Sequence, residues 1–168
     1  TPGAYRNATR EGFRIDYRNP RSQGTRAHQV AAYVVFDAPL VMLCDSPTRY
    51  MADEACTRFI ASLPVVFDTT RVLAGEIGEY IVTARKRQDC WYVGGLTGWT
   101  PRTLDVDLSL LDPGREYTAT LLADDGRSAA EPARYVLSTQ RVTSATRLQI
   151  PVAPGGGFAL KIEPADNK

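Results

Sequence analysis

Ser22-Gln-Gly-Thr-Arg-Ala-His-Gln-Val-Ala-Ala-Tyr-Val-Val-Phe-Asp-Ala-Pro-Leu-Val-Met-Leu-Cys-Asp-Ser-Pro47 is the stretch whose reading decides the fold. Ala27, Val30, Ala31, Val34 and Ala38 recur at helical spacing and make one apolar stripe on an amphipathic helix. Pro39 stops that helix, because the residue before a proline is pushed out of the helical region. Leu40-Val-Met-Leu-Cys44 then is apolar at every position rather than at alternate ones. Such a run predicts a strand covered on both faces, the habit of parallel sheets in α/β proteins. Asp45-Ser46-Pro47 returns abruptly to turn chemistry. A second helix is predicted beyond it, with Ala52, Ala55, Cys56, Phe59, Ile60 and Leu63 on one face and Pro64 as its stop. Helix, buried strand, helix is the last turn of a wound α/β domain whose other strands lie elsewhere.

The residues before this stretch carry no sustained period. Arg6, Arg10, Arg14 and Arg18 fall four apart, but Gly12 and Asn19-Pro20 interrupt them, so a solvated loop is expected. Asn7-Ala8-Thr9 fits the glycosylation acceptor pattern, a signal too short to count without a secretory context. The chain opens on Thr1-Pro2-Gly3 rather than Met, so its natural start is expected further upstream.

After Pro64 the period switches from helix to strand and stays there. Residues 79–85 collect strand formers, and Lys86-Arg87-Gln88-Asp89 turns the chain into Cys90-Trp91-Tyr92-Val93. Residues 103–110 alternate strictly, with Leu104, Val106, Leu108 and Leu110 inward and Asp105, Asp107 and Ser109 outward. Asp112-Pro113-Gly114 is a turn with a mechanism, since proline presets φ and glycine accepts a positive one. Further strands are expected at 117–123, 135–139, 146–152 and 158–162, with a frayed tail from Pro164. Turn signals at roughly ten-residue spacing argue an antiparallel sandwich.

Composition narrows the function classes. Of 168 residues, 43% are hydrophobic and 23% charged, an ordinary soluble balance, and the formal net charge is +1. Nothing electrostatic argues for nucleic acid or an anionic membrane surface. No apolar run approaches the ~20 residues that span a bilayer. Cys44, Cys56 and Cys90 lack metal-ligand spacing and are read as reduced packing residues.

Several strings together resemble the C-terminal third of glycoside hydrolase family 97. They are Thr1-Pro2-Gly3-Ala4, Ser22 to His28, Ala38-Pro39-Leu40 with Leu43 to Pro47, Arg71 to Tyr80, and Trp91 to Arg102. The likeness spans almost the whole chain and weakens after Gly126. The resemblance implies calcium-dependent, exo-acting α-glycosidases, either inverting α-glucosidases or retaining α-galactosidases, built from an N-terminal supersandwich, a (β/α)8 barrel and a C-terminal sandwich. On that mapping the fold class is a multidomain fragment. Residues 1–64 are the end of the barrel (helix, eighth strand, eighth helix), and residues 65–168 are the β-sandwich, implicated in oligomerisation.

The resemblance also implies what this stretch lacks. Glycoside hydrolysis needs two carboxylates across the scissile bond, and none of the family's catalytic motifs occurs here, so no catalytic residue carries over. The calcium ligands are likewise expected upstream. The implied partners are an oligosaccharide substrate of the whole enzyme, the rest of the barrel, and a second copy met through the sandwich. The implied compartment is periplasmic or secreted and bacterial, and the fragment alone is expected to be inactive. A non-catalytic interaction or carbohydrate-binding module is the rival reading.

Among single residues, Asp45 is the one candidate substrate ligand, because barrel sites are built on the C-terminal ends of strands. The competing reading has its side chain capping the turn through the Ser46 and Thr48 N–H groups. Both stay open. His28, the only histidine, is expected to be a hydrogen-bonded residue on the helix surface. Trp91 is expected in the core, while Trp99 before Thr100-Pro101-Arg102 is open between core and sugar platform. Gly155-Gly156-Gly157 reads as a flexible hairpin loop and Lys86-Arg87 as a solvated turn.

Overall fold

The computed structural model describes residues 11, 14, 15, 17, 22–38, 40–43 and 45–165. The arginines at 6, 10 and 18, the Asn7 acceptor pattern and Cys44 therefore lie outside the described residues. Three helices come first: α1 (Arg26–Val35), α2 (Pro47–Met51) and α3 (Glu54–Ala61). Eight strands follow: β1 (Thr69–Glu76), β2 (Tyr80–Arg87), β3 (Cys90–Thr97), β4 (Arg102–Asp107), β5 (Tyr117–Ala123), β6 (Val136–Val142), β7 (Arg147–Val152) and β8 (Gly157–Pro164).

All pairings are antiparallel. One sheet has six strands in the order β1-β2-β3-β8-β5-β6, and the second has only β4 and β7. The alternation read from residues 103–110 explains this second layer. Leu104, Val106 and Leu108 are buried, while Asp105, Asp107 and Ser109 are exposed, although the strand itself ends at Asp107. These side chains meet Val82, Ala84, Trp91, Val93, Phe158, Leu160 and Ile162 from the large sheet in one core.

The opposite face of the large sheet carries a second core. Tyr92, Leu122 and Ala159 point there and meet Ala27, Val30 and Val34 of α1 with Cys56 and Phe59 of α3. β3 is consequently buried on both faces. Its Gly94 lies under α1: a Cβ there would stand 2.9 Å from Val34 Cβ and 3.1 Å from the Ala31 carbonyl oxygen. The absent side chain is what lets the helix come this close.

Four expectations are corrected. The buried strand across residues 40–44 is not formed. Residues 40–43 run irregularly, and Leu40, Met42 and Leu43 are exposed (78%, 72% and 53%). A strand apolar on both faces needs neighbours on either side, and among the described residues none is offered. The second helix is two helices. Asp53 breaks it, and its carboxylate accepts from Cys56 N–H (3.3 Å) as N-cap of α3, which leaves Ala52 and Ala55 exposed. The glycine run 155–157 is no flexible hairpin loop but the crossing from the small sheet to the large one, and all three glycines are buried. The tail does not fray at Pro164, which pairs with Tyr117 as the last residue of β8.

Candidate functional site

The residues with most chemistry gather along the seam between α1 and the large sheet. At the N-terminal end of α1, Thr25 is the N-cap: its hydroxyl accepts from His28 N–H (3.1 Å), and its own N–H donates to the Gly155 carbonyl (2.9 Å). His28 Nδ1 donates to the Gly156 carbonyl (3.0 Å), so the histidine is a structural donor, half-buried against the glycine crossing. Asp124 completes the knot. Its Oδ2 accepts from Ala153 and Gly157 N–H, both at 3.0 Å. Burial pushes its carboxyl above the ordinary 3.8, against the opposing pull of the Thr25 hydroxyl, those two N–H groups and His28. Trp99 packs its six-membered ring on Gly155, where φ is +62° and a Cβ would lie 2.9 Å from Cζ3. That half-buried indole is part of the seam, and Trp91 is core.

A second polar junction joins the helices to Tyr135, the residue just before β6. Asp53 pairs with Arg26, accepts from Tyr135 Oη–H at 2.7 Å, and caps α3. Burial first, then the Asp53 hydrogen bond, hold the Tyr135 phenol far above its ordinary value. Burial likewise pushes the Cys56 thiol up to about 11, so it is a packing group rather than a nucleophile. Arg26, Tyr33, Arg49, Tyr50 and Thr57 line a small cleft of about 50 Å³ between these helices.

The C-terminal end of α1 is held by Arg85, a buried arginine that sequence reading placed only as the end of a strand. It donates to the Phe36 carbonyl (3.1 Å) and Thr70 Oγ1 (3.0 Å), pairs with Asp37 (2.7 Å) and lies over the Phe67 ring. Its strand also holds Thr83, Lys86 and Arg87, so no local pattern in the sequence marks Arg85 as buried.

Asp45 is half-buried before α2, and its Oδ1 accepts from Ser46 N–H at 2.9 Å. Among the described residues, no three His, Cys, Asp or Glu side chains gather where one metal ion fits. No helix among them is long and apolar enough to cross a membrane. The helical flank exposes five large apolar side chains, Phe36, Leu40, Met42, Leu43 and Met51, beside charged ones such as Asp37, Glu54 and Arg58.

Residues 66–163, which include both sheets but for the last residue of β8, match the family described as "Glycosyl-hydrolase 97 C-terminal, oligomerisation". The chain belongs to glycoside hydrolase family 97. It is 46% identical over 163 residues to a retaining alpha-galactosidase of Bacteroides thetaiotaomicron, covering 97% of this chain and 24% of that protein. A probable retaining alpha-galactosidase of Streptomyces bingchenggensis is 30% identical over 162 residues, covering 95% of this chain and 22% of the relative. Among solved structures, a family 97 enzyme from Pseudoalteromonas sp. strain K8 in complex with panose superposes with a TM-score of 0.85. It is 28% identical, over 99% of this chain and 26% of that one. The family 97 chain thus spans about a quarter of the length of the relatives it matches, at their C-terminal part.

Proposed function

We propose that this chain is the C-terminal part of an exo-acting α-glycosidase, of the α-galactosidase or α-glucosidase type, cleaving α-glycosidic bonds in oligosaccharides. The observation that carries the reading is the 46% identity to a retaining alpha-galactosidase across 97% of the chain, helices and sheets alike. In this reading residues 1–64 finish a (β/α)8 barrel, and residues 65–168 form the sandwich that packs on it and makes oligomer contacts. The outward-facing apolar residues 40–43 support the first part, because a barrel would supply the strands they lack here. Asp45, at the end of that segment, then stands at the barrel's C-terminal rim and is offered as a ligand for a sugar hydroxyl.

Calcium enters only through the upstream part in this reading, since the described residues offer no ligand cluster. The catalytic carboxylates belong upstream as well, and the whole enzyme is placed in the periplasm or outside a bacterial cell. The test compares two polypeptides, residues 1–168 alone and the same residues joined to their natural upstream sequence. Turnover of an aryl α-galactoside or α-glucoside is expected only from the longer one. Turnover by the short chain, or by neither, overturns the proposal. Oligosaccharide binding by the short chain with no activity in the longer one points to a carbohydrate-binding module instead.

A further inference from the structure

The two sheets present four outer edges: β1 and β6 on the large sheet, β4 and β7 on the small one. An edge strand displays a row of unpaired N–H and C=O groups, and proteins blunt such edges with bulges, charges or proline. Three of the four are blunted. β1 is kinked by a register shift between Val72 and Ala74. β4 carries Arg102, Asp105 and Asp107, and β7 carries Arg147 and Pro151.

β6 is the least defended of the four, with Arg141 as its single charge. Its sequence, Val-Leu-Ser-Thr-Gln-Arg-Val, holds one charge and no proline, and it pairs with β5 through seven consecutive residues without a shift. Six of those seven residues are exposed. Val136 and Leu137 point to opposite faces of the sheet and yet both are exposed, and of the strand's residues only Val142 enters the core.

We infer that β6 is the surface on which a second copy of this chain docks, antiparallel about a two-fold axis, so that the two six-stranded sheets continue as one. The inference rests on the oligomer contacts proposed above and names the strand that makes them. A two-fold pairing must match residues of the same face, and β6 is compatible with itself in this sense. Centred on Thr139, it sets Leu137 opposite Arg141 of the partner subunit, Ser138 opposite Gln140 of the partner subunit, and Thr139 opposite its own copy. The two arginines never face each other, so no like charges meet. Seven residues give about seven main-chain hydrogen bonds, less than a standard interface, so the dimer is expected to be weak and concentration-dependent.

The test is sedimentation of the chain from about 1 to about 100 µM, with hydrogen exchange measured at both ends of the range. A monomer–dimer equilibrium is expected, with the β6 amides exchanging more slowly at the higher concentration. Lysines on β6 (Leu137→Lys with Thr139→Lys) are expected to weaken the dimer at least about tenfold, by charge repulsion across the axis. Val72→Lys on β1 and Met42→Lys on the apolar flank are expected to leave it unchanged. A chain that stays monomeric, an association lost in the β1 or flank variant but kept in the β6 variant, or β6 amides that ignore concentration would each overturn the inference. Should the β6 variant fail to fold, the exchange measurement on the unaltered chain still decides. Loss of hydrolysis in the longer polypeptide with an intact dimer would instead count only against the catalytic reading.

Discussion

The sandwich and its helical flank complete their burial differently. In the sandwich, Leu104, Val106, Ile150 and Val152 find Val93, Phe158 and Leu160 within the same run of about 100 residues. The flank buries only one side: Ala27, Val30 and Val34 rest on the sheet, while Phe36, Leu40, Met42 and Met51 face outward. A unit that closes its own core can stand alone; one with an uncovered apolar side is half of a larger packing. What joins the two is the apolar face of α1 on the sheet, with specific hydrogen bonds at both ends of the helix.

The comparison breaks most visibly in the sandwich. Val106→Asp places an unpaired charge at a site 1% exposed and is expected to cost about 3–5 kcal/mol. Its neighbour Asp105, exposed and accepting only from Gln149 (3.1 Å), should tolerate serine within about 0.5 kcal/mol. Denaturant midpoints of the two variants check this, and equal midpoints would mean that the facing of β4 is wrong.

A smaller effect is expected where the regions touch. Gly94→Ala puts a methyl 2.9 Å from Val34 Cβ and Val35 Cγ2, so α1 must lift. The expected cost is about 1–3 kcal/mol, and it should fall unevenly. Hydrogen exchange should quicken across α1 while β4, β5 and β7 keep their protection. Uniform loss would show that helix and sandwich unfold as one unit.

The smallest effect concerns pH at the seam. Because Asp124 has a folded pKa raised by burial, its share of stability is fully present below the unfolded value near 3.8 and is lost as pH rises through the folded value. Asp124→Asn removes that titration while keeping a side-chain oxygen for the Ala153 and Gly157 N–H groups. The gap between the two proteins should therefore favour the unaltered chain most in acid and narrow towards neutrality. Melting curves at several pH values, compared pairwise, check the sign.

Sequence reading recovered the elements whose two faces see different surroundings. β4 announced itself by strict alternation, β5 was bounded correctly at both ends, and α1 showed its stripe. β1 passed unnoticed for the same physical reason: an edge strand solvated along most of its length has no alternation to display. Leu40 to Leu43 misled in the other direction, since a fully apolar run states what a segment needs and not whether this chain supplies it. Of the seam, His28 was legible as a hydrogen-bonded helix residue. Asp124 and Arg85 were not, because no local period marks either as buried: Asp124 lies just past the end of β5, and Arg85 shares its strand with Thr83, Lys86 and Arg87. Asp45 was legible as a polar stop to the apolar run, and its bond to Ser46 N–H is a local one.

The position of β8 has a consequence for the order of synthesis. It is made after the other seven strands described, yet it lies in the middle of the large sheet, between β3 and β5. It also bears on the seat of α1, whose His28 reaches a carbonyl 128 residues downstream. At translation rates of about 5–20 residues per second, the helix emerges roughly ten seconds before its seat exists. During that interval its apolar stripe has only the growing chain or a chaperone to lie against. The large sheet thus stays in two parts, β1-β2-β3 and β5-β6, until β8 joins them.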